Sequence, residues 1–295
     1  MKSLISVRDI GKKEVEKILK KASSFKEGKE ERLEGDIVLL FLEPSTRTRI
    51  SFEKACRTLG LETYTVLGES SSLAKGESFF DTLKTFEALG FRGVIFRVPF
   101  ILFPYEDTAN ALKLSLINAG DSTHQHPTQG LTDLFTLREA YGSLKGLKVL
   151  YVGDITHSRV FRSGAALFGL FGAEVSVSGP KTMIPRDIHV FGVKEVFDNV
   201  DEGIEWADVV IWLRLQKERQ KENLIPSERS YFEQFGLTKE RHKKLKGFFM
   251  HPGPVNRDID IDSSLLYSEK SLIQEQVRNG LFIRMAVISW CFTDK

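Results

Sequence analysis

Short apolar runs rich in β-branched residues alternate along the chain with segments of helical period, and few folds satisfy that alternation. The runs fall at residues 37–42, 62–66, 94–98, 114–118, 149–152, 174–177, 209–213 and 247–250. Strands separated by helical segments return to a sheet in parallel, so the pattern predicts α/β architecture. Between the runs the period changes. Phe79, Leu83, Phe86 and Leu89 recur at helical spacing before Gly90, and Phe52, Ala55 and Leu59 do so before Gly60. Each glycine stands where a helix ends in the left-handed conformation, and the apolar residues before it read as ordinary core.

A seam at residues 142–146 separates a long amphipathic segment that starts at Pro127 from a fresh strand, LKVLYVGD. At 295 residues the chain has room for two such halves. The expected fold is two doubly wound parallel-sheet domains joined by interdomain helices, over residues 1–142 and 143–270. A last helix, 271–295, packs back on the first. Residues 219–229 and 239–246 are highly charged and read as solvated helix faces or a mobile loop. No repeat, heptad or low-complexity tract occurs.

Charge and cysteine usage exclude several classes of function. With 42 basic and 40 acidic side chains the net charge is +2, which argues against an extended polyanion partner such as nucleic acid. A composition of 41% hydrophobic and 11% aromatic residues excludes global disorder. Two cysteines, Cys56 and Cys291, are too few and too far apart for a disulfide framework or a structural zinc site, so a reducing compartment is expected. The N-terminal sequence has no apolar signal region, and the most apolar stretch, 94–103, is broken by Arg97 and Pro99. No run approaches the ~18 apolar residues of a membrane span. A cytoplasmic protein without a membrane partner is the expectation.

Chemistry gathers at strand ends. Glu43-Pro44-Ser45-Thr46-Arg47-Thr48-Arg49 joins an apolar strand to a helix. A helix N-terminus with hydroxyls and arginine binds phosphate, and N-capping is the alternative for Ser45 and Thr46. Capping does not explain two arginines in a turn that favours acidic side chains. Neither GxxxxGK[ST] nor a GxGxxG after Tyr151-Val152-Gly153-Asp154 is present, which leaves small phosphorylated metabolites. In the segment Asn118 to Gln129, His126 and Gln129 flank Pro127 at a helix start, whereas His124 and His126 form an HxH pair that a metal could share. Further metal ligands are not evident, so no metal is expected. Arg97, Arg159 and Arg214 each follow a strand, where they are either surface arginines or ligands for phosphate and carboxylate. His251-Pro252-Gly253-Pro254-Val255-Asn256-Arg257 is a pinned loop, rigid for its own sake or offering backbone carbonyls.

These motifs together resemble the aspartate carbamoyltransferase catalytic chains of the aspartate/ornithine carbamoyltransferase superfamily. The likeness rests on Ser-Thr-Arg-Thr-Arg at 45–49, His-Pro-Thr-Gln at 126–129 and His-Pro-Gly-Pro-Val-Asn-Arg at 251–257. It extends to Lys75-Gly76-Glu77, Asn118-Ala119-Gly120-Asp121 and Arg214-Leu215-Gln216-Lys217-Glu218-Arg219. The ornithine branch typically carries Cys in place of Thr128 and Cys-Leu-Pro in place of Pro-Gly-Pro, and neither is found here.

The resemblance implies transfer of a carbamoyl group from carbamoyl phosphate to L-aspartate, a step toward pyrimidines that needs no cofactor. Ser45, Thr46, Arg47 and Thr48 would hold the phosphate, with Arg97 and His126 joining Thr48 at the carbamoyl oxygen. Gln129 and the backbone around Pro252, Gly253 and Pro254 would take the carbamoyl amino group. Arg159, Arg214 and Gln216 would take the aspartate carboxylates. Lys75 and a serine, Ser71 or Ser72, would come from a neighbouring subunit of a homotrimer with shared sites. Dihydroorotase or a regulatory chain is a further partner that relatives suggest. Closure of the halves over the substrates is expected to bring Glu43 to Arg159 or Arg219. An ornithine carbamoyltransferase, a non-catalytic assembly homologue and a metal hydrolase built on His124 and His126 remain as alternatives.

Overall fold

A computed structural model describes residues 2–68, 76–102, 105–216 and 225–293 of the chain. In chain order the elements are α1 (Lys12–Lys26), β1 (Asp36–Phe41), α2 (Thr46–Thr58), β2 (Glu62–Leu67), α3 (Phe79–Ala88), β3 (Gly93–Val98), α4 (Tyr105–Asn110), β4 (Ser115–Asp121) and α5 (Pro127–Tyr141). They continue as β5 (Lys148–Val152), α6 (Arg159–Leu170), β6 (Glu174–Ser178), β7 (Val193–Phe197), α7 (Val200–Trp206), β8 (Val209–Trp212), α8 (Glu228–Phe235), α9 (Lys239–Lys244), β9 (Phe249–Met250) and α10 (Ile273–Phe292). The chain forms two compact units, Met1–Thr132 with Asn279–Lys295 and Asp133–Arg278, and crosses between them inside α5 and α10.

The first unit holds a four-stranded sheet in the order β2-β1-β3-β4, parallel throughout. Ile37, Val38, Leu39 and Leu40 are all at most 1% exposed. Successive strand residues point to opposite faces, so β1 has core on both sides, which explains its unbroken apolar run. β4 is the last strand of the sheet, yet every residue in it is buried. The N-terminal segment covers its edge: Leu4 donates its N–H to Leu116 O at 2.8 Å and accepts from Asn118 N at 2.9 Å. At the opposite edge β2 is half exposed. Gly60 (φ +84°) and Gly90 (φ +86°) end α2 and α3 in the left-handed conformation expected of them. Leu89 departs from the core reading: as the last residue before Gly90 it has turned off the buried stripe and is 70% exposed.

The second unit holds a five-stranded parallel sheet in the order β7-β6-β5-β8-β9. Leu150, Val152, Val210, Trp212 and Phe249 form the heart of one of its cores. β7 has no counterpart among the expected strands. It is an edge strand with only Val193 and Phe197 buried, and Lys194 and Glu195 interrupt its apolar signal. The charged 239–246 segment is not simply a solvated face. Arg241 is 9% exposed and donates to Gly236 O and Glu233 O, at 2.8 and 3.0 Å, while pairing with Asp201 at 3.3 Å. It thereby satisfies carbonyls at the end of α8 that have no partner within the helix.

Both cysteines are buried free thiols, and burial pushes the Cys56 thiol up to about 12 and the Cys291 thiol upward as well. Among the described residues no helix is long and apolar enough to cross a membrane.

Tyr151 is fully buried between Phe161, edge-on at 5.3 Å, and Phe168, stacked at 6.1 Å. Its hydroxyl has no hydrogen-bond partner among the described residues and lies 2.0 Å from where a Cβ on Gly164 would sit. Gly164→Ala should therefore lower unfolding stability by about 1–3 kcal/mol through overpacking. Tyr151→Phe should be near neutral, and the double variant should recover most of the loss, as urea titration of the four proteins will measure.

Candidate active site

In the first sheet, connections from β1 and β3 leave toward opposite edges, so a crevice opens between their carboxyl ends. Phe41 is paired in register with Arg97, which places the segment from Glu43 to Arg49 and the Arg97 side chain at that opening. Arg97 Nε lies 3.5 Å from Glu43 Oε2, and Nη1 donates to Ala119 O at 3.4 Å. Within its own unit Glu43 is thus an ion-pair partner of Arg97.

Ser45 occupies the N-cap position of α2, but its side chain makes no capping hydrogen bond, and no acidic residue lies in the first turn. The caps of α3, α6 and α8 behave otherwise: Ser78, Ser158 and Ser227 each accept the N–H three residues on. The amides and positive dipole end of α2 therefore have neither a capping bond from Ser45 nor an acidic side chain in the first turn. Arg49 lies 3.6 Å from Glu53, Arg47 is exposed, and Thr48 is buried.

The segment after β4 is built around Asp121, which is 0% exposed. Its carboxylate accepts Asn118 Nδ2–H and Gln125 N–H, both at 2.9 Å, and lies 3.0 Å from His124 Nδ1. This pairing gives His124 an internal role. His126 and Gln129 are buried at the start of α5, where the His126 carbonyl accepts the Gln129 and Gly130 amides. Among the described residues no group of three or more His, Cys, Asp or Glu side chains is placed to hold a metal ion.

In the second sheet the reversal lies between β5 and β8. Arg159 opens α6 and is 5% exposed. Arg214, Leu215 and Gln216 follow β8 outside any regular element, with Leu215 in the core. Burial alternates along it, with Leu213 and Leu215 buried and Arg214 and Gln216 half-buried between and after them. Gln216 Nε2 donates to His157 O at 3.0 Å, and Gln216 N donates to Asp154 Oδ2 at 3.4 Å, tying this segment to the loop that leads into Arg159. Asp154 Oδ1 also lies 2.8 Å from His157 Nδ1.

The loop after β9 contains Pro252, Gly253 and Pro254, with Gly253 at φ +67° and a cis Gly253–Pro254 peptide. Gly253 N–H donates to His251 Nδ1 at 2.8 Å, and His251 Nε2 lies 3.2 Å from Asp260 Oδ2. Lys75, Ser71, Ser72 and Arg219 lie outside the described residues. Sequence reasoning missed the buried carboxylates of Asp154 and Asp260. Asp154 stands two residues past the end of β5, which was a usable signal; nothing local marks Asp260.

Family models match nearly the whole chain: "Aspartate/ornithine carbamoyltransferase, carbamoyl-P binding domain" over residues 2–139 and "Aspartate/ornithine carbamoyltransferase, Asp/Orn binding domain" over residues 145–291. The chain belongs to the aspartate/ornithine carbamoyltransferase family. It is 66% identical to the aspartate carbamoyltransferase catalytic subunit of Aquifex aeolicus, over 99% of this chain and 100% of the relative. Among solved structures it resembles ornithine carbamoyltransferase from Pyrococcus furiosus (TM-score 0.87, 28% identity, 99% and 97% of the two chains). It also resembles Trypanosoma cruzi aspartate transcarbamoylase in complex with carbamoyl phosphate (TM-score 0.86, 25% identity, 99% and 96%).

Because Ser45 makes no capping bond, Ser45→Ala should change unfolding stability by less than about 0.5 kcal/mol, whereas Ser158→Ala should cost about 1 kcal/mol. Ser45→Ala should nonetheless weaken inorganic phosphate binding in calorimetry. A reversed order of stability losses would restore capping as the role of Ser45.

Proposed function

We propose that the chain transfers the carbamoyl group of carbamoyl phosphate to the amine of L-aspartate, giving N-carbamoyl-L-aspartate and phosphate for pyrimidine synthesis. The observation that carries the choice of acceptor is the placement of Arg214 and Gln216 on either side of the buried Leu215, with Gln216 tied to the loop leading into Arg159. Two guanidinium groups and an amide suit a dicarboxylate, whereas ornithine would bring a second ammonium group. Identity of 66% to an aspartate carbamoyltransferase catalytic subunit supports the same reading.

In this reading Ser45, Thr46, Arg47 and Thr48 hold the phosphate at the uncapped start of α2. Thr48, Arg97 and His126 face the carbamoyl oxygen, Gln129 and the Pro252–Pro254 backbone take the amino group, and Arg159, Arg214 and Gln216 hold aspartate. The amine attacks the carbamoyl carbon, charge develops on the oxygen, and the C–O bond to phosphate breaks as the departing phosphate takes the proton that the amine loses. Each preorganised donor at that oxygen contributes about 2.7–4 kcal/mol to such a step, and juxtaposing two bound reactants contributes about 7–11 kcal/mol. Positioning and electrostatics thus suffice without a covalent intermediate.

The same reading makes the active form a homotrimer in which Lys75 reaches a neighbouring site. Its support is the open edge of the first sheet. Tyr64 and Leu67 on β2 are 51% and 46% exposed, and Ile50 on α2 is 51% exposed. Thr65 Oγ1, one strand residue-pair from Leu67, donates to Glu53 at 3.2 Å, which sets α2 against this edge. A second copy would cover these apolar groups. Buried free thiols agree with a cytoplasmic setting.

Purified protein given carbamoyl phosphate with aspartate or ornithine, with and without EDTA, should yield carbamoylated aspartate alone, unaffected by the chelator. Arg214→Ala should lower kcat/KM for aspartate by about a hundredfold, roughly 2.7 kcal/mol, while carbamoyl phosphate still binds. Product from ornithine would overturn the choice of acceptor, and elution on gel filtration near 33.5 kDa would overturn the trimer.

A further inference from the structure

One hydrogen-bond relay in the second unit joins the segment assigned to aspartate with the turn assigned to the carbamoyl amino group. Asp260 is 0% exposed. Its Oδ1 accepts Leu215 N–H at 3.1 Å, and its Oδ2 accepts Asn256 N–H at 2.8 Å and lies 3.2 Å from His251 Nε2. His251 is itself 1% exposed and accepts Gly253 N–H on Nδ1 at 2.8 Å. A backbone N–H can bond only to a ring nitrogen that carries no proton, so the imidazole proton is on Nε2 and points to Asp260. Among the described residues the Asp260 side chain thus faces three donors.

The consequences for the two loops follow from peptide geometry. Asn256 Nδ2 donates to Leu215 O at 3.0 Å, so both polar backbone atoms of Leu215 are held by the 256–260 turn. With that residue fixed, the backbone that carries Arg214 and Gln216 is fixed on both sides of it. The N–H of Gly253 shares a planar peptide with the carbonyl of Pro252, and the two point in opposite directions. Turning the N–H inward to His251 therefore turns the Pro252 carbonyl away from the ring, as an acceptor for an amino group.

We propose that Asp260 and His251 are positioning residues that set the aspartate-binding segment 214–216 and the carbamoyl-binding turn 252–254 against each other through one buried relay. The proposal rests on the carbamoyl-transfer reading. Two isosteric changes divide the relay at the imidazole. His251→Gln keeps a donor where Nε2 stood and loses the acceptor for Gly253; His251→Asn keeps an acceptor where Nδ1 stood and loses the donor to Asp260.

Steady-state kinetics on the full-length protein should show reciprocal effects. His251→Gln should raise KM for carbamoyl phosphate about tenfold with little change for aspartate, and His251→Asn should do the reverse, each the loss of one hydrogen bond in a buried polar relay. Asp260→Asn should raise the aspartate KM and lower kcat, each by about tenfold or more, because an amide N–H replaces an acceptor facing three donors. Melting temperature and far-UV circular dichroism report whether each variant is folded. If Asp260→Asn fails to fold, the two His251 variants decide the matter. Equal changes in both KM values, or none, in folded variants of an active parent would overturn the relay. A parent that makes no carbamoyl-aspartate would instead overturn the proposed function.

Discussion

Parallel pairing is the constraint on which the rest of this structure depends. Both sheets are parallel at every strand pair. Each strand must therefore hand the chain to a connection that runs back outside the sheet, and the carboxyl ends of neighbouring strands collect at one edge. The order β2-β1-β3-β4 opens that edge between β1 and β3, and β7-β6-β5-β8-β9 opens it between β5 and β8. Glu43 to Arg49 and Arg97 lie at the first opening, and Asp154 to Arg159 and Arg214 to Gln216 lie at the second. Chemistry dispersed over most of the sequence becomes two local clusters by topology alone.

Loops at such openings cannot satisfy their backbone groups within a ladder, and buried carboxylates do so instead. Asp121 organises the turn after β4, Asp154 the turn after β5, and Asp260 the turns after β8 and β9. All three are 0% exposed and accept backbone N–H groups. Removing a carboxylate from water costs several kcal/mol, and hydrogen bonds to charged groups return about 1.5–3 kcal/mol each. Two or three donors per carboxylate bring these terms close to balance. The net gain is therefore less in stability than in a unique loop conformation, which is what a ligand-binding edge requires.

How much of this was legible in the sequence depended on how local each cause is. Central strands such as β1 announce themselves because both faces are buried and the apolar run is unbroken. β7 does not, since an edge strand needs only Val193 and Phe197 inside. Gly60 and Gly90 were readable as helix ends because the left-handed conformation is a property of one residue. The phosphate-binding look of 45–49 was readable too, but whether Ser45 caps its helix was not, as that is decided by a side-chain orientation. Asp260 was beyond reach: its partners Leu215, His251 and Asn256 come together only once β8 and β9 are adjacent.

The fold itself does not choose the amine. The backbone resembles an ornithine carbamoyltransferase and an aspartate transcarbamoylase equally, with TM-scores of 0.87 and 0.86. In the proposed reading, discrimination lies in side chains at the carboxyl ends of β5 and β8. With Arg159 and Arg214 as the receiving groups, aspartate brings two carboxylates to two guanidinium groups. Ornithine would bring one carboxylate and an additional ammonium. Like charges about 4 Å apart at an effective dielectric near 20 repel by about 4 kcal/mol, close to a thousandfold in affinity. On that reading, one arginine in place of a neutral residue at such a position would favour the dicarboxylate by this amount while leaving every strand where it was.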